Sequence, residues 1–293
     1  MPLSTRLAVE MIGAGWRGRL AVALIAAMVG SVTAVARVDA RVRRKTRHPN
    51  VAKIEPVRGQ FFSDGLPIDE FHCVPKAGSK FPVVMLLHGC APNSFGASAF
   101  KQMCIGLAEH GYYAMFIEYY GAAGAPNCSD LAMTPSFSLA PETPIPDDLW
   151  MRELMSARNS VANNPKADAT RLGLIGFSFG GTLAVITAAL NPNVISAVVD
   201  YYGFSNARVE EAVGRLPNFP PTLILQGDSD HRARVIDSIH LHNVIAKHQK
   251  ASEIRVYPEV EHGFNFREAA GYDKEASADA WSRTLSFLDR NLK

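Results

Sequence analysis

The chain has 293 residues, 47% of them hydrophobic and 20% charged, an ordinary globular composition without internal repeats or low-complexity tracts. Its net charge of +2 hides an asymmetry: residues 1–47 carry nine Lys/Arg and two acidic residues, a net of +7, and the remainder carries 21 and 26, a net of −5. A mildly acidic body argues against nucleic acid as a partner.

Residues 1–47 read as a targeting or anchoring segment with a basic linker, and residues 48–293 as a single domain. Leu20 to Ala36 is an uncharged apolar run preceded by Arg6, Arg17 and Arg19 and ending Ala34-Val35-Ala36. That is the shape of a signal peptide of an exported (periplasmic or secreted) protein, or of a short membrane anchor through residues 20–36. Arg37, Arg41, Arg43, Arg44, Lys45 and Arg47 follow it. Positive charge stays cytoplasmic, so an uncleaved anchor holding the body of the chain inside is the alternative.

Short strands are expected around Val57–Phe62 and Phe71–Val74. Phe81-Pro82-Val83-Val84-Met85-Leu86-Leu87 is a continuous apolar run, suited to a strand buried on both faces of a parallel sheet. Ser98 to His110 has helical spacing, with Phe100, Met103, Cys104 and Leu107 on one side, and Gly111 ends it. A strand at Tyr112–Tyr119 precedes a long loop rich in Pro, Ala and Ser, about 121–146. Asp147 or Asp148 caps a helix running to about Asn163. Further strands are expected at Leu172–Phe177, Ala197–Tyr202, Thr222–Gln226 and Ile254–Tyr257. Helices follow the elbow near Ser178 and cover about Ala233–His248 and Asp273–Leu292. Strands alternating with helices imply a mostly parallel, doubly wound α/β sheet with helices on both faces, which carries its sites at the carboxyl ends of strands.

Gly176-Phe177-Ser178-Phe179-Gly180 sits where a strand ends and an apolar helix begins, the context of a nucleophile elbow. Glycine two residues either side of the serine removes clashes with the crossing backbone. A serine needs a neighbour to take its proton. Two later loops past strand ends supply candidates: Gly227-Asp228-Ser229-Asp230 and Glu261-His262-Gly263-Phe264. His262 would accept the Ser178 proton, and Asp230 would hold the other ring nitrogen, with Asp228 as its rival. The oxyanion donors would be the N–H groups of Phe179 and of Cys90, with Ala91 as the alternative to Cys90.

Four cysteines, Cys73, Cys90, Cys104 and Cys128, match no zinc spacing. An even count fits an oxidising compartment, and small buried hydrophobes are the other reading. One hypothesis is a Cys90–Cys128 disulfide clamping the long loop beside the site. Phe95, Tyr119, Tyr120, Tyr201, Tyr202 and Phe264 lie near strand ends and could line an apolar acyl pocket.

Together these stretches resemble the α/β-hydrolase superfamily, and within it the dienelactone hydrolase-like proteins, over about residues 57–292. The resemblance rests on Leu86-Leu87-His88-Gly89-Cys90, the serine pentapeptide followed by Gly181, Val199-Asp200-Tyr201-Tyr202-Gly203, Gln226 to Asp230, His262-Gly263-Phe264 and Ala280-Trp281-Ser282-Arg283-Thr284. The order Ser178, Asp230, His262 is that of the superfamily. The founding members differ in using cysteine where this chain has Ser178, and a glutamate where it has His88-Gly89. That points to a serine esterase on the same scaffold. The stretch from Phe204 to Pro220 is too short for a large cap domain, which leaves an open cleft. The resemblance implies hydrolysis of a small-molecule carboxylic ester through an acyl-enzyme on Ser178, without metal or organic cofactor. A peptidase or amidase, a non-catalytic binding protein on the same fold, and a tethered scaffold acting through its basic amino terminus are the rival readings.

Overall fold

The computed structural model describes residues 53–90, 97–119, 149–248 and 251–293. In chain order they form β1 Val57–Ser63, β2 Leu66–Cys73, β3 Phe81–Leu87, α1 Ala97–Glu109, β4 Tyr113–Ile117, α2 Leu149–Ala162, β5 Ala167–Phe177, α3 Phe179–Leu190, β6 Ile195–Tyr201, α4 Ala207–Gly214, β7 Thr222–Gly227, α5 Val235–His248, β8 Ser252–Tyr257 and α6 Lys274–Leu292. The apolar segment Leu20–Ala36, the long loop 121–146, and Ala91, Phe95, Tyr120 and Cys128 lie outside the described residues. Among the described residues no helix is long and apolar enough to cross a membrane.

One sheet runs in the order β1-β2-β4-β3-β5-β6-β7-β8. The β1–β2 hairpin and the β2–β4 pair are antiparallel, and every pairing from β4 to β8 is parallel. Strand order reverses at β3: the chain steps to β4 on one side and then returns to β5 on the other. Right-handed crossovers in opposite directions put their helices on opposite faces. Accordingly α1 and α6 cover one face and α2 to α5 the other.

The alternation of β3 feeds both layers. Val83, Met85 and Leu87 pack with Leu154, Leu183 and Leu241 on one face. Val84 and Leu86 pack with Leu107, Phe287 and Leu288 on the other. A strand apolar on both sides is therefore required at the centre, and β3 occupies the range its apolar run predicts. At α6, Asp273 caps the first turn by accepting the Ala276 N–H at 2.7 Å.

Three details depart from the sequence reading. β5 begins at Ala167, not Leu172, because its polar first half, Asp168 to Arg171, is half exposed and carries no apolar signal. The segment between β6 and β7 forms the short polar helix α4, with no cap domain among the described residues. Cys73 at the end of β2 is disulfide-bonded to Cys104 on α1, their Cα atoms 5.6 Å apart and both side chains fully buried. Cys90 is also disulfide-bonded, while the Cys128 half of the expected pair lies outside the described residues.

The register aligns the carboxyl ends of the strands. Leu87 lies opposite Gly176, Gly176 opposite Asp200, Asp200 opposite Ile224, and Gln226 opposite Val256. The ladder continues one step past the strands: Ser178 N–H donates to Tyr201 O at 2.8 Å, Tyr202 N–H to Leu225 O at 2.9 Å, and Asp228 N–H to Tyr257 O at 3.0 Å. Each site loop thus starts from a fixed height on one sheet edge.

Candidate active site

Ser178 is the sharp joint between β5 and α3. Its backbone is left-handed, φ 55° and ψ −121°, a conformation costing about 1–3 kcal/mol for a residue with a side chain. A Cβ on Gly176 would fall on the Gly180 carbonyl, and one on Gly180 on the Leu87 carbonyl. The two glycines are thus steric requirements of the turn that lifts the serine above the sheet.

His262 follows β8 and turns into its loop at Gly263, φ 78°. Its Nδ1 lies 2.7 Å from Asp230 Oδ2 and its Nε2 lies 2.9 Å from Ser178 Oγ. With Nδ1–H donated to the carboxylate, Nε2 accepts the serine hydroxyl. Asp228 takes no part. It ties its own loop to the one after β8, accepting the Glu259 N–H at 2.7 Å, and it accepts the neighbouring Ser229 hydroxyl at 3.1 Å.

Asp230 is 5% exposed. Burial pushes its carboxyl up, but the His262 hydrogen bond and the Ala233 and Arg232 N–H groups outweigh this and hold it below the ordinary aspartate value. Both N–H groups donate to Oδ1 at 2.8 Å. Oδ2 also accepts from Gln226 Nε2 at 3.1 Å. Gln226 is fully buried. It donates as well to Ala233 O at 2.9 Å and accepts from the Ser238 hydroxyl at 2.9 Å. The sequence offered one signal for this support, a polar residue ending an otherwise apolar strand.

Phe179 is the first residue of α3, so its N–H belongs to the first turn of that helix. Its ring points into the core, 5.3 Å from Trp150. Cys90 lies at the end of the described loop after β3 and lines the same cavity as Ser178. The preceding turn is anchored by the Tyr119 hydroxyl, which donates to His88 O. The His88 ring stacks on Tyr119 at 4.1 Å. Burial pushes the His88 imidazole down to about 4, partly opposed by its bond to Gly89 O.

Ser178 opens into a cavity of about 540 Å³, within the range that holds small-molecule ligands. Its apolar wall is Phe100, Phe177, Phe266 and Tyr202, and its rim carries Arg232 and Glu268 among other polar groups. Of the expected aromatic residues that are described, only Tyr202 lines it. Tyr119, Tyr201 and Phe264 are buried in the core, Tyr201 sharing a hydrogen bond with Thr284 at 2.8 Å. Among the described residues no group of three or more His, Cys, Asp or Glu side chains could hold a metal ion.

The arrangement can deliver a hydroxyl to an electrophilic carbon while removing its proton. Comparison with known proteins places that chemistry in a lineage. The profile of the "Dienelactone hydrolase family" matches residues 68–292. A "Putative carboxymethylenebutenolidase" of Methylorubrum extorquens is 28% identical over 235 residues, 77% of this chain and 77% of that protein. A "Probable 2-oxo-3-(5-oxofuran-2-ylidene)propanoate lactonase" of a Bradyrhizobium species is 29% identical, covering 74% of this chain and 87% of that protein. Among solved structures, a "Putative Dienelactone Hydrolase" of Klebsiella pneumoniae superposes with a TM-score of 0.68 at 25% identity, over 81% of this chain and 99% of that one. With this fold and this match over most of its length, the chain belongs to the dienelactone hydrolase family, hydrolases of the α/β-hydrolase superfamily.

Proposed function

We propose that the protein hydrolyses carboxylic esters through an acyl-enzyme on Ser178, with His262 as base and Asp230 as its orienting acid. The observation that carries this is the continuous chain Asp230–His262–Ser178, closed at 2.7 and 2.9 Å at the mouth of the cavity. Ser178 Oγ attacks the ester carbonyl as its proton passes to His262 Nε2. The N–H groups of Phe179 and Cys90 hold the oxyanion. Collapse breaks the bond to the alkoxide, which leaves with the proton from Nε2. Water then repeats the sequence against the acyl-serine and releases the carboxylic acid. The aromatic wall favours an apolar acyl group. Cyclic esters, the class named for the Bradyrhizobium relative, belong in the same substrate screen.

The test is turnover of a nitrophenyl ester and labelling by a fluorophosphonate. Ser178→Ala is expected to lower kcat by about 10⁴-fold or more and abolish labelling. A folded variant with full turnover would refute the assignment. Faster cleavage of a matched amide than of the ester would move the activity to the amidase class.

A further inference from the structure

Tyr202 is strained for no reason its own strand supplies. Its φ is 45°, yet it is 1% exposed and is neither glycine nor asparagine. Buried bulky residues in this region persist only where their surroundings over-determine them. Ser178 and Tyr202 both have positive φ, both stand one residue past neighbouring parallel strands, and both line the cavity.

The surroundings are built for it. Asp200, buried at the end of β6, accepts the Gly203 N–H at 2.8 Å and closes the turn that contains Tyr202. The same carboxyl lies against the backbone of Gly181, in the first turn of the elbow helix. Thr182, one residue on, donates its hydroxyl to Phe204 O at 2.9 Å and accepts the Phe204 N–H at 2.8 Å. The Tyr202–Phe204 loop is therefore tied twice to the helix that starts at the nucleophile. The loop presents two rings to the imidazole: Tyr202 has its centroid 4.6 Å from that of His262, and Phe204 lies 6.2 Å away. On its far side the Tyr202 hydroxyl donates to Asn265 Oδ1, three residues beyond His262 in the same loop.

We infer that Tyr202 is a positioning residue, a buttress that fixes the His262 ring in line with Ser178 by bridging the elbow helix and the histidine loop. Asp230 fixes one ring nitrogen but leaves the ring free to swing about that bond. A packed aromatic face removes this freedom. The role rests on His262 being the base of the reading above. The positive φ of Tyr202 is then the backbone cost of seating its ring against the imidazole.

The experiment compares Tyr202→Phe, Tyr202→Leu and His262→Ala in the full chain. Turnover of a nitrophenyl ester is measured together with thermal unfolding and the far-downfield proton resonance of His262 Nδ1–H. Tyr202→Leu is expected to lower kcat about tenfold with KM changed less than about twofold, since a misplaced base slows chemistry and not binding. Its downfield resonance is expected to broaden or vanish. Tyr202→Phe, which keeps the ring, is expected to restore kcat to within about threefold of the parent and to retain the resonance. A folded Tyr202→Leu with unchanged kcat and resonance, or with a change in KM alone, overturns the inference and leaves Tyr202 a wall residue. Should Tyr202→Leu not fold, Thr182→Val decides in the same way, because it cuts the Phe204 tie and leaves both rings. His262→Ala separates the two levels. If it retains turnover, the base assignment fails. If it is inactive while the Tyr202 variants behave like the parent, only the buttress fails.

Discussion

At the scale of single residues, the two aspartates of the loop after β7 have opposite duties although they are two positions apart. Asp230 receives four hydrogen bonds, from His262, Gln226, Arg232 and Ala233. Asp228 contacts neither ring nitrogen and instead accepts the Glu259 N–H of the loop after β8. Asp230→Asn is therefore expected to lower kcat by about 10³–10⁴-fold, because the amide favours the wrong tautomer of His262. Asp228→Asn keeps a side-chain acceptor and is expected to stay within about threefold of the parent. Steady-state kinetics on one ester separates them, and a larger loss at Asp228 would reverse the roles. Ser178 was legible in the sequence because its constraints are local: glycine two residues either side, a strand before and a helix after. Asn265 and Tyr202 were not legible as supports. They lie 63 residues apart in the chain and meet only once the strands are in register.

Elements show the same division. β3 was readable to the residue, since a strand covered on both faces must be apolar throughout. The first half of β5 and the helix α4 were not, because half-exposed polar segments carry neither period. The Cys73–Cys104 bridge was beyond reach for another reason. Spacing along the chain says nothing about a helix lying over a neighbouring strand, and only the packing of α1 across β2 brings the two side chains together. The bridge closes a loop of 31 residues, for which chain entropy gives a stabilisation of about 3–4 kcal/mol. Replacing both cysteines by alanine is expected to lower the free energy of unfolding by about that amount in denaturant titration, with the ester KM unchanged. A loss below about 1 kcal/mol would show that the unfolded chain is already constrained there.

For the whole molecule, stability against pH depends on a few buried groups. Glu153 on α2 is fully buried, and neither carboxyl oxygen has a hydrogen-bond partner among the described residues. Burial pushes it up to about 8, with Asp64 adding to the shift and Arg152 opposing it. Folding favours its protonated form, so its contribution is complete below the ordinary glutamate value and is lost as pH rises through about 8. Burial likewise pushes Asp200 up to about 7, against the pull of the Gly203 N–H. His88 runs the other way. Held neutral by burial, it contributes above the ordinary histidine value and loses that contribution as pH falls through about 4. Below pH 6.5 the slopes oppose one another, and above it the carboxyls act alone. The protein is expected to lose about 1–2 kcal/mol between pH 6.5 and 8. Glu153→Met is expected to remove most of that slope and to add about 1–3 kcal/mol at pH 8. Denaturant melts at the two pH values check this, and an unchanged slope in the variant would locate the effect elsewhere.

The three ladder bonds that outrun the strands, from Ser178, Tyr202 and Asp228, have a thermal consequence. Many enzymes lose activity well before they melt, because their working loops open on their own. Here Ser178 hangs from the central strand β5, and the loops carrying Asp230 and His262 from β7 and the edge strand β8 paired to it. Their amides can exchange with solvent only when those strands part. Residual ester turnover on heating should then follow the loss of sheet structure degree for degree, making the catalyst a thermometer of its own core.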